Sequence, residues 1–94
     1  MRVRWTRGAL KNLDEIESYV ARDKPGAAVE TVLLVINTVG LLADNPAMGR
    51  PGRVEGTREL IIPGTPFIAP YRVRNNVVEV LRVFHHSRKW LDRL

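Results

Sequence analysis

Apolar and polar residues alternate over the first positions, with Val3 and Trp5 on one side and Arg2 and Arg4 on the other. This alternation predicts a short strand over residues 2–5. Thr6 stands where a helix N-cap is wanted. Leu10, Leu13, Ile16, Tyr19 and Val20 then recur at three- and four-residue spacing, which predicts an amphipathic helix over 7–22. Asp14, Glu15 and Glu17 take much of its other face. Asp23-Lys24-Pro25-Gly26 breaks it, and Pro25 suits the first turn of a second helix over 25–43. There Val29, Val32, Leu33, Ile36 and Val39 form one stripe, and Ala28, Val35 and Leu42 widen it. Leu34 and Leu41 extend the apolar surface beyond what a helix packed on one side needs. Either this helix packs on both its neighbour and a sheet, or part of it is a contact surface for another chain.

Asn45-Pro46 ends that helix, and two prolines and three glycines over 46–56 predict a loop. Three strands follow, over 57–62, 67–74 and 77–86. Pro63-Gly64-Thr65-Pro66 and Asn75-Asn76 mark the turns between them, since Asn tolerates the left-handed conformation. Pro70, inside the second of the three, calls for an edge position or a bulge. The third is rich in β-branched residues and reads as a buried central strand. The order is β-α-α-β-β-β. The expected fold is α+β, an antiparallel sheet with a helical hairpin on one face and the other face open.

Ninety-four residues make one small domain spanning 1–94. Without cysteine there is no disulfide framework, zinc–thiolate site or iron–sulfur cluster. No apolar run is expected to approach the roughly 20 residues of a membrane span. The start, Met1-Arg2-Val3-Arg4-Trp5, lacks a signal core, so a cytoplasmic location without membrane contact is expected. Charge is the more informative quantity. The net is +5, and arginine supplies 12 of the 15 positive residues. Residues 1–8 carry +3, residues 9–45 carry −3, and residues 46–94 carry +5. Such asymmetry points to a polyanion or an acidic partner met by the C-terminal half.

The candidate chemistry is narrow. His85 and His86 are the only histidines, and neighbours on a strand point to opposite faces, so no metal site is expected. No phosphate-binding glycine loop is present, and no cofactor is expected. Arginine, histidine and an open sheet remain. By alternation Arg72 shares a face with Ile68, Pro70 and Arg74, and Arg82 with Val78, Val80, Phe84 and His86. A buried-facing arginine is improbable, so these faces are expected to be the open one, with Arg58 as third member. Arginines there could clamp a phosphate bidentately while a histidine moves a proton near neutral pH. That is the equipment for RNA cleavage by the RNA's own 2′-hydroxyl.

Gly49-Arg50-Pro51-Gly52-Arg53-Val54-Glu55-Gly56-Thr57-Arg58-Glu59-Leu60 resembles the loop-to-strand passage of RelE/ParE toxins. Pro66-Phe67-Ile68-Ala69-Pro70-Tyr71-Arg72-Val73 is similar as well, and so is the stretch from Val78 to Trp90. Trp5-Thr6, Ala9-Leu10 and Leu13-Asp14-Glu15-Ile16 fit the opening, and the resemblance spans essentially the whole chain. It implies a growth-inhibiting toxin of a type II toxin–antitoxin pair, neutralised by a cognate antitoxin that wraps it. Val32, Leu34, Leu41 and Trp90 are the expected antitoxin contacts. Operator DNA would be reached only through the antitoxin complex.

The resemblance leaves the target divided. RelE-like members enter the ribosome and cut mRNA, whereas ParE-like members inhibit DNA gyrase. A degenerate toxin that acts only as an antitoxin-bound co-repressor is a third class. On the nuclease reading, Arg58, Arg72, His85 and His86 would form the catalytic set. Arg50, Arg53, Arg82, Arg88 and Lys89 would bind phosphate. The match is partial. A nuclease arginine position falls near Ile68, the family histidine aligns with His85, and the following tyrosine falls on His86. The family's loop lysines are replaced by Arg50 and Arg53, and the tail has no tyrosine. The adjacent histidines lean the reading slightly to the ribosome-dependent nuclease, with the gyrase inhibitor as the alternative.

Overall fold

The computed structural model describes residues 1–87. The elements run β1 (Arg2–Trp5), α1 (Arg7–Asp23), α2 (Pro25–Gly40), β2 (Arg50–Pro51), β3 (Arg58–Ile61), β4 (Phe67–Arg74), β5 (Val77–Val80) and β6 (Phe84–His85). A 3₁₀ turn over Leu41–Ala43 extends α2. Thr6 caps α1 as its sequence suggests, its side-chain oxygen accepting the Ala9 amide at 3.2 Å. The same hydroxyl donates to the Val80 carbonyl at 2.8 Å, so one residue ties the start of α1 to the end of β5.

The strands lie in the order β1-β5-β4-β3-β2, with β6 paired to β4. β2 to β5 alternate in direction, but β1 runs parallel to β5. The sheet is therefore mixed rather than antiparallel throughout. β1 reaches β5 through the whole helical hairpin, and such a long crossover permits a parallel pair where a tight turn does not. Arg50–Pro51, inside the expected loop, pairs with β3. Asn75 and Asn76 make the β4–β5 turn with φ of 54° and 61°.

Both helices lie on one face. Ala9, Leu13 and Ile16 of α1 meet Val35 and Val39 of α2, with Leu42, over Leu60, Ala69, Tyr71, Val78 and Val80 of the sheet. The buried stripe of α2 is thus Ala28, Val35 and Val39. Val29, Leu33 and Ile36, expected inside, are exposed together with Leu34 and Leu41. A helix apolar on every side does not reveal by periodicity which side is buried. Pro25–Ala43 is in fact long and apolar enough to cross a bilayer by length and composition, which corrects the expectation that no segment comes close. A helix in a protein core passes the same test, but only 22% of this one is buried, leaving a broad apolar surface on the helical side.

The last predicted strand is broken. β5 pairs Val80 with Tyr71, whereas β6 pairs His85 with Phe67, so β5–β6 gains one residue on β4. This bulge lies opposite Pro70, which has no amide to donate. The Pro70 carbonyl accepts the Leu81 amide at 2.9 Å, and the Asn12 side chain of α1 accepts the Val83 amide at 3.0 Å. The extra residue reverses which side each following residue faces. Val83 enters the core, where unbroken alternation would have set it on the open face.

Candidate functional site

The three arginines expected on one face are separated. Arg72 does face the open side, register-paired with Glu79. Arg58 pairs with Tyr71 and therefore faces the helices. Its Nη1 donates to the Gly49 carbonyl at 2.7 Å and more weakly to that of Ala47 at 3.4 Å. Arg82 sits in the break between β5 and β6. Its guanidinium lies against Gly8 in the first turn of α1 and donates to the Leu81 carbonyl at 2.7 Å. Placing Arg58 and Arg82 on the open face was therefore incorrect. Arg58 misses it because its strand's inward positions begin with it. Arg82 misses it because Val78 and Val80, whose face it was given, point into the core.

The histidines, by contrast, take the sides that alternation gave them, His85 away from the expected open face and His86 on it, because the inverted start of the strand and the extra residue offset each other. His85 lies on the helical side in an open cavity of about 310 Å³ with Asn12, Glu15, Tyr19 and Phe67. Its ring meets Phe67 edge-on at 6.0 Å. Its Nδ1 lies 3.1 Å from the Ser87 amide, which donates to it, and 2.7 Å from the Ser87 hydroxyl. His86 lines a cavity of about 330 Å³ on the other side with Arg50, Arg53, Thr65 and Ile68. Both rings sit at the strand's end, where they stack at 4.8 Å instead of pointing strictly apart. Among the described residues no group of histidine, aspartate and glutamate could hold a metal ion.

On the open face the structure assembles a cluster that the sequence reading passed over. Glu79, only 4% exposed, meets three arginines there. Arg4 forms a hydrogen-bonded ion pair with it, Arg72 Nε donates at 2.8 Å, and Arg74 Nε lies 3.3 Å away. The hydrogen bonds from Arg4 and Arg72 outweigh burial and hold the carboxyl down to about 2 from its ordinary 4.5. Glu59, 2% exposed, accepts from Arg50 Nε at 3.1 Å and from the Arg53 amide at 3.1 Å. Alternation in β1 beside a glutamate on the next strand was the available signal. It was missed because the parallel β1–β5 pairing was not foreseen.

Of the expected antitoxin contacts, Leu34 and Leu41 are 40% and 54% exposed. Val32 is half-buried against the core, so it offers a partner little surface. Leu41, Thr38, Met48, Leu60, Ile61 and Pro63 line an apolar groove beside β3. Arg88, Lys89 and Trp90 lie outside the described residues.

The chain is 46% identical over 89 residues to Y4kP of Sinorhizobium fredii, named as a candidate toxin, covering 95% of this chain and 92% of that one. It is 29% identical over 84 residues to the toxin RelE2 of Caulobacter vibrioides, covering 89% and 93%. Its fold matches a chain of the chromosomal ParDE toxin–antitoxin system of P. aeruginosa with a TM-score of 0.84 at 33% identity, over 90% of this chain and 95% of that one. It matches a chain of the RelBE2 toxin–antitoxin complex of Mycobacterium tuberculosis with a TM-score of 0.65 at 26% identity, over 89% and 95%. The family model of the ParE toxin of type II toxin–antitoxin systems matches residues 3–90, and the chain belongs to that family, within the RelE/ParE superfamily.

Proposed function

We propose that this toxin, neutralised by a cognate antitoxin, arrests growth by inhibiting DNA gyrase and does not cut RNA. One observation carries the choice: the residues that a cleavage centre would combine are divided between the two sides of the sheet. Arg72 and His85 lie on opposite faces and are about five residues apart along β4, as His85 pairs with Phe67. Five residues of strand span roughly 16 Å, too far for both groups to act on one phosphate. Arg58 spends its guanidinium on loop carbonyls. The fold likeness is also greater to the ParDE chain than to the RelBE2 chain.

The nuclease reading retains one feature, the cavity that joins Arg50 and Arg53 to His86. The two readings part in a simple assay. Purified gyrase should lose supercoiling activity when the toxin is added and regain it with antitoxin. Translation reactions should show no new mRNA ends by primer extension. Ribosome-dependent cuts that vanish in His86→Ala would overturn the proposal.

A further inference from the structure

The open face of the sheet carries arginines from three of its strands. Arg2 and Arg4 come from β1, Arg72 and Arg74 from β4, and Arg50 from β2. Among the described residues of the sheet only Glu79 and Glu59 oppose them there, and both carboxylates are buried beneath the guanidinium groups. The arginine side chains remain accessible, from 39% for Arg72 to 57% for Arg74. Arg72 engages Glu79 through Nε, which leaves its two Nη groups as donors.

The dimensions suit an extended polyanion. β1 and β2 are the outer strands of five, so the arginines span about 19 Å across the sheet. Duplex DNA presents roughly one phosphate charge per 1.7 Å of axis, or about eleven over that width. Beside the charges the face presents Val77, Ile61, Ile68 and Pro70, and its aromatic rings, Phe84 opposite Ile68 and the neighbouring His86, are confined to the β6 end. Bases of a single strand would find no ring to stack on beside the Arg4, Arg72 and Arg74 cluster, so a phosphate backbone fits that part of the face better. A protein partner needs an apolar centre to its contact. The large exposed apolar residues of α2, among them the expected antitoxin contacts Leu34 and Leu41, are on the opposite side.

We infer that the open sheet face binds the backbone of duplex DNA without reading its sequence, so that the toxin engages gyrase together with the DNA it holds. Glu79 and Glu59 act as buried anchors that fan the guanidinium groups outward. This inference rests on the gyrase reading for its setting, but DNA binding can be measured without gyrase.

The test is fluorescence anisotropy of antitoxin-free toxin with a labelled 20-base-pair duplex at increasing salt. Four to five phosphate contacts predict a slope of log K against log salt of about −3.6 to −4.5. Affinity should then fall roughly 150–500-fold between 50 and 200 mM salt, equally for unrelated sequences. Arg2→Gln and Arg74→Gln should each weaken binding and flatten the slope by about one. Both residues are exposed, and an unchanged thermal midpoint and antitoxin affinity would show that the fold is intact. Absence of DNA binding at 50 mM salt, or binding that neither variant changes, overturns the inference. So does the opposite pattern, in which both variants lose antitoxin affinity and keep DNA affinity, because the face then serves an acidic protein. Gyrase inhibition without DNA binding removes this inference alone. Salt-dependent DNA binding without gyrase inhibition removes only the gyrase reading.

Discussion

Gly49 and Tyr71, separated by 22 positions, are joined by a 2.9 Å hydrogen bond from the Gly49 amide to the Tyr71 hydroxyl. That hydroxyl donates in turn to the Pro46 carbonyl at 2.7 Å. Tyr71 is fully buried in the middle of β4, so this pair fixes the loop after α2 to the sheet. Tyr71→Phe leaves an amide and a carbonyl without their partner and should cost about 1–3 kcal/mol in urea unfolding. A change within about 0.3 kcal/mol would mean that water replaces the hydroxyl without loss.

The same contact makes Gly49 intolerant of a side chain. A Cβ there would stand 2.6 Å from the Tyr71 ring and 2.9 Å from the Glu59 carbonyl oxygen. Neither a buried ring nor a strand backbone moves cheaply, so Gly49→Ala should destabilise by about 1–3 kcal/mol. Gly26→Ala is the control, since a Cβ there meets nothing within 4 Å. Equal unfolding midpoints for the two variants would contradict this account.

On α2 the exposed and the inward apolar residues should behave differently. Leu34→Glu and Leu41→Glu should leave the thermal midpoint nearly unchanged and weaken antitoxin binding at least tenfold by calorimetry, about 1.4 kcal/mol. Val32→Glu buries part of a charge against the core and should instead lower the thermal midpoint. If the leucine variants bind antitoxin normally, the antitoxin lies elsewhere.

Glu79 gives the stability a pH dependence. Its carboxyl is held down to about 2, chiefly by the Arg4 hydrogen bond and then by that of Arg72, against an ordinary 4.5. A lowered value in the folded state means that the unfolded chain binds the proton more readily. The contribution is complete above about 4.5 and is lost as pH falls from there toward 2. Wild type should lose stability over that window by circular dichroism. Glu79→Gln should show a shallower loss over the same range, and identical slopes would remove Glu79 from the acid response.

Much of this architecture was legible from residue spacing. The Thr6 cap, both helices, the Asn75-Asn76 turn and the bounds of β4 follow from local rules, because each depends on neighbours a few residues away. The bulge was half legible. Pro70 announced a disturbance, but the extra residue was accommodated on the partner strand, between Val80 and Phe84. A one-residue offset reverses every later side chain, so counting set Val78, Val80 and Arg82 on the wrong face and still gave Val83, His85 and His86 their right sides, two errors offsetting each other. The Glu79 cluster joins β1 to β5 across 75 positions, and no local pattern encodes that pairing. Val29, Leu33 and Ile36 were misplaced because α2 is apolar all round, and only the packing chooses its buried side.

His85 offers a direct check on the division of the site. It is on the helical side, with its Nδ1 engaged by Ser87. His85→Ala should keep full toxicity when expressed without antitoxin. Loss of toxicity with unchanged antitoxin affinity would restore this histidine to a catalytic role.

The central claim is tested most directly by relaxed plasmid, purified gyrase and ATP, with toxin titrated in. The account predicts a dose-dependent loss of supercoiled product, restored by antitoxin, while mRNA in a parallel translation reaction stays intact. Undiminished supercoiling alongside ribosome-dependent mRNA cuts would contradict it.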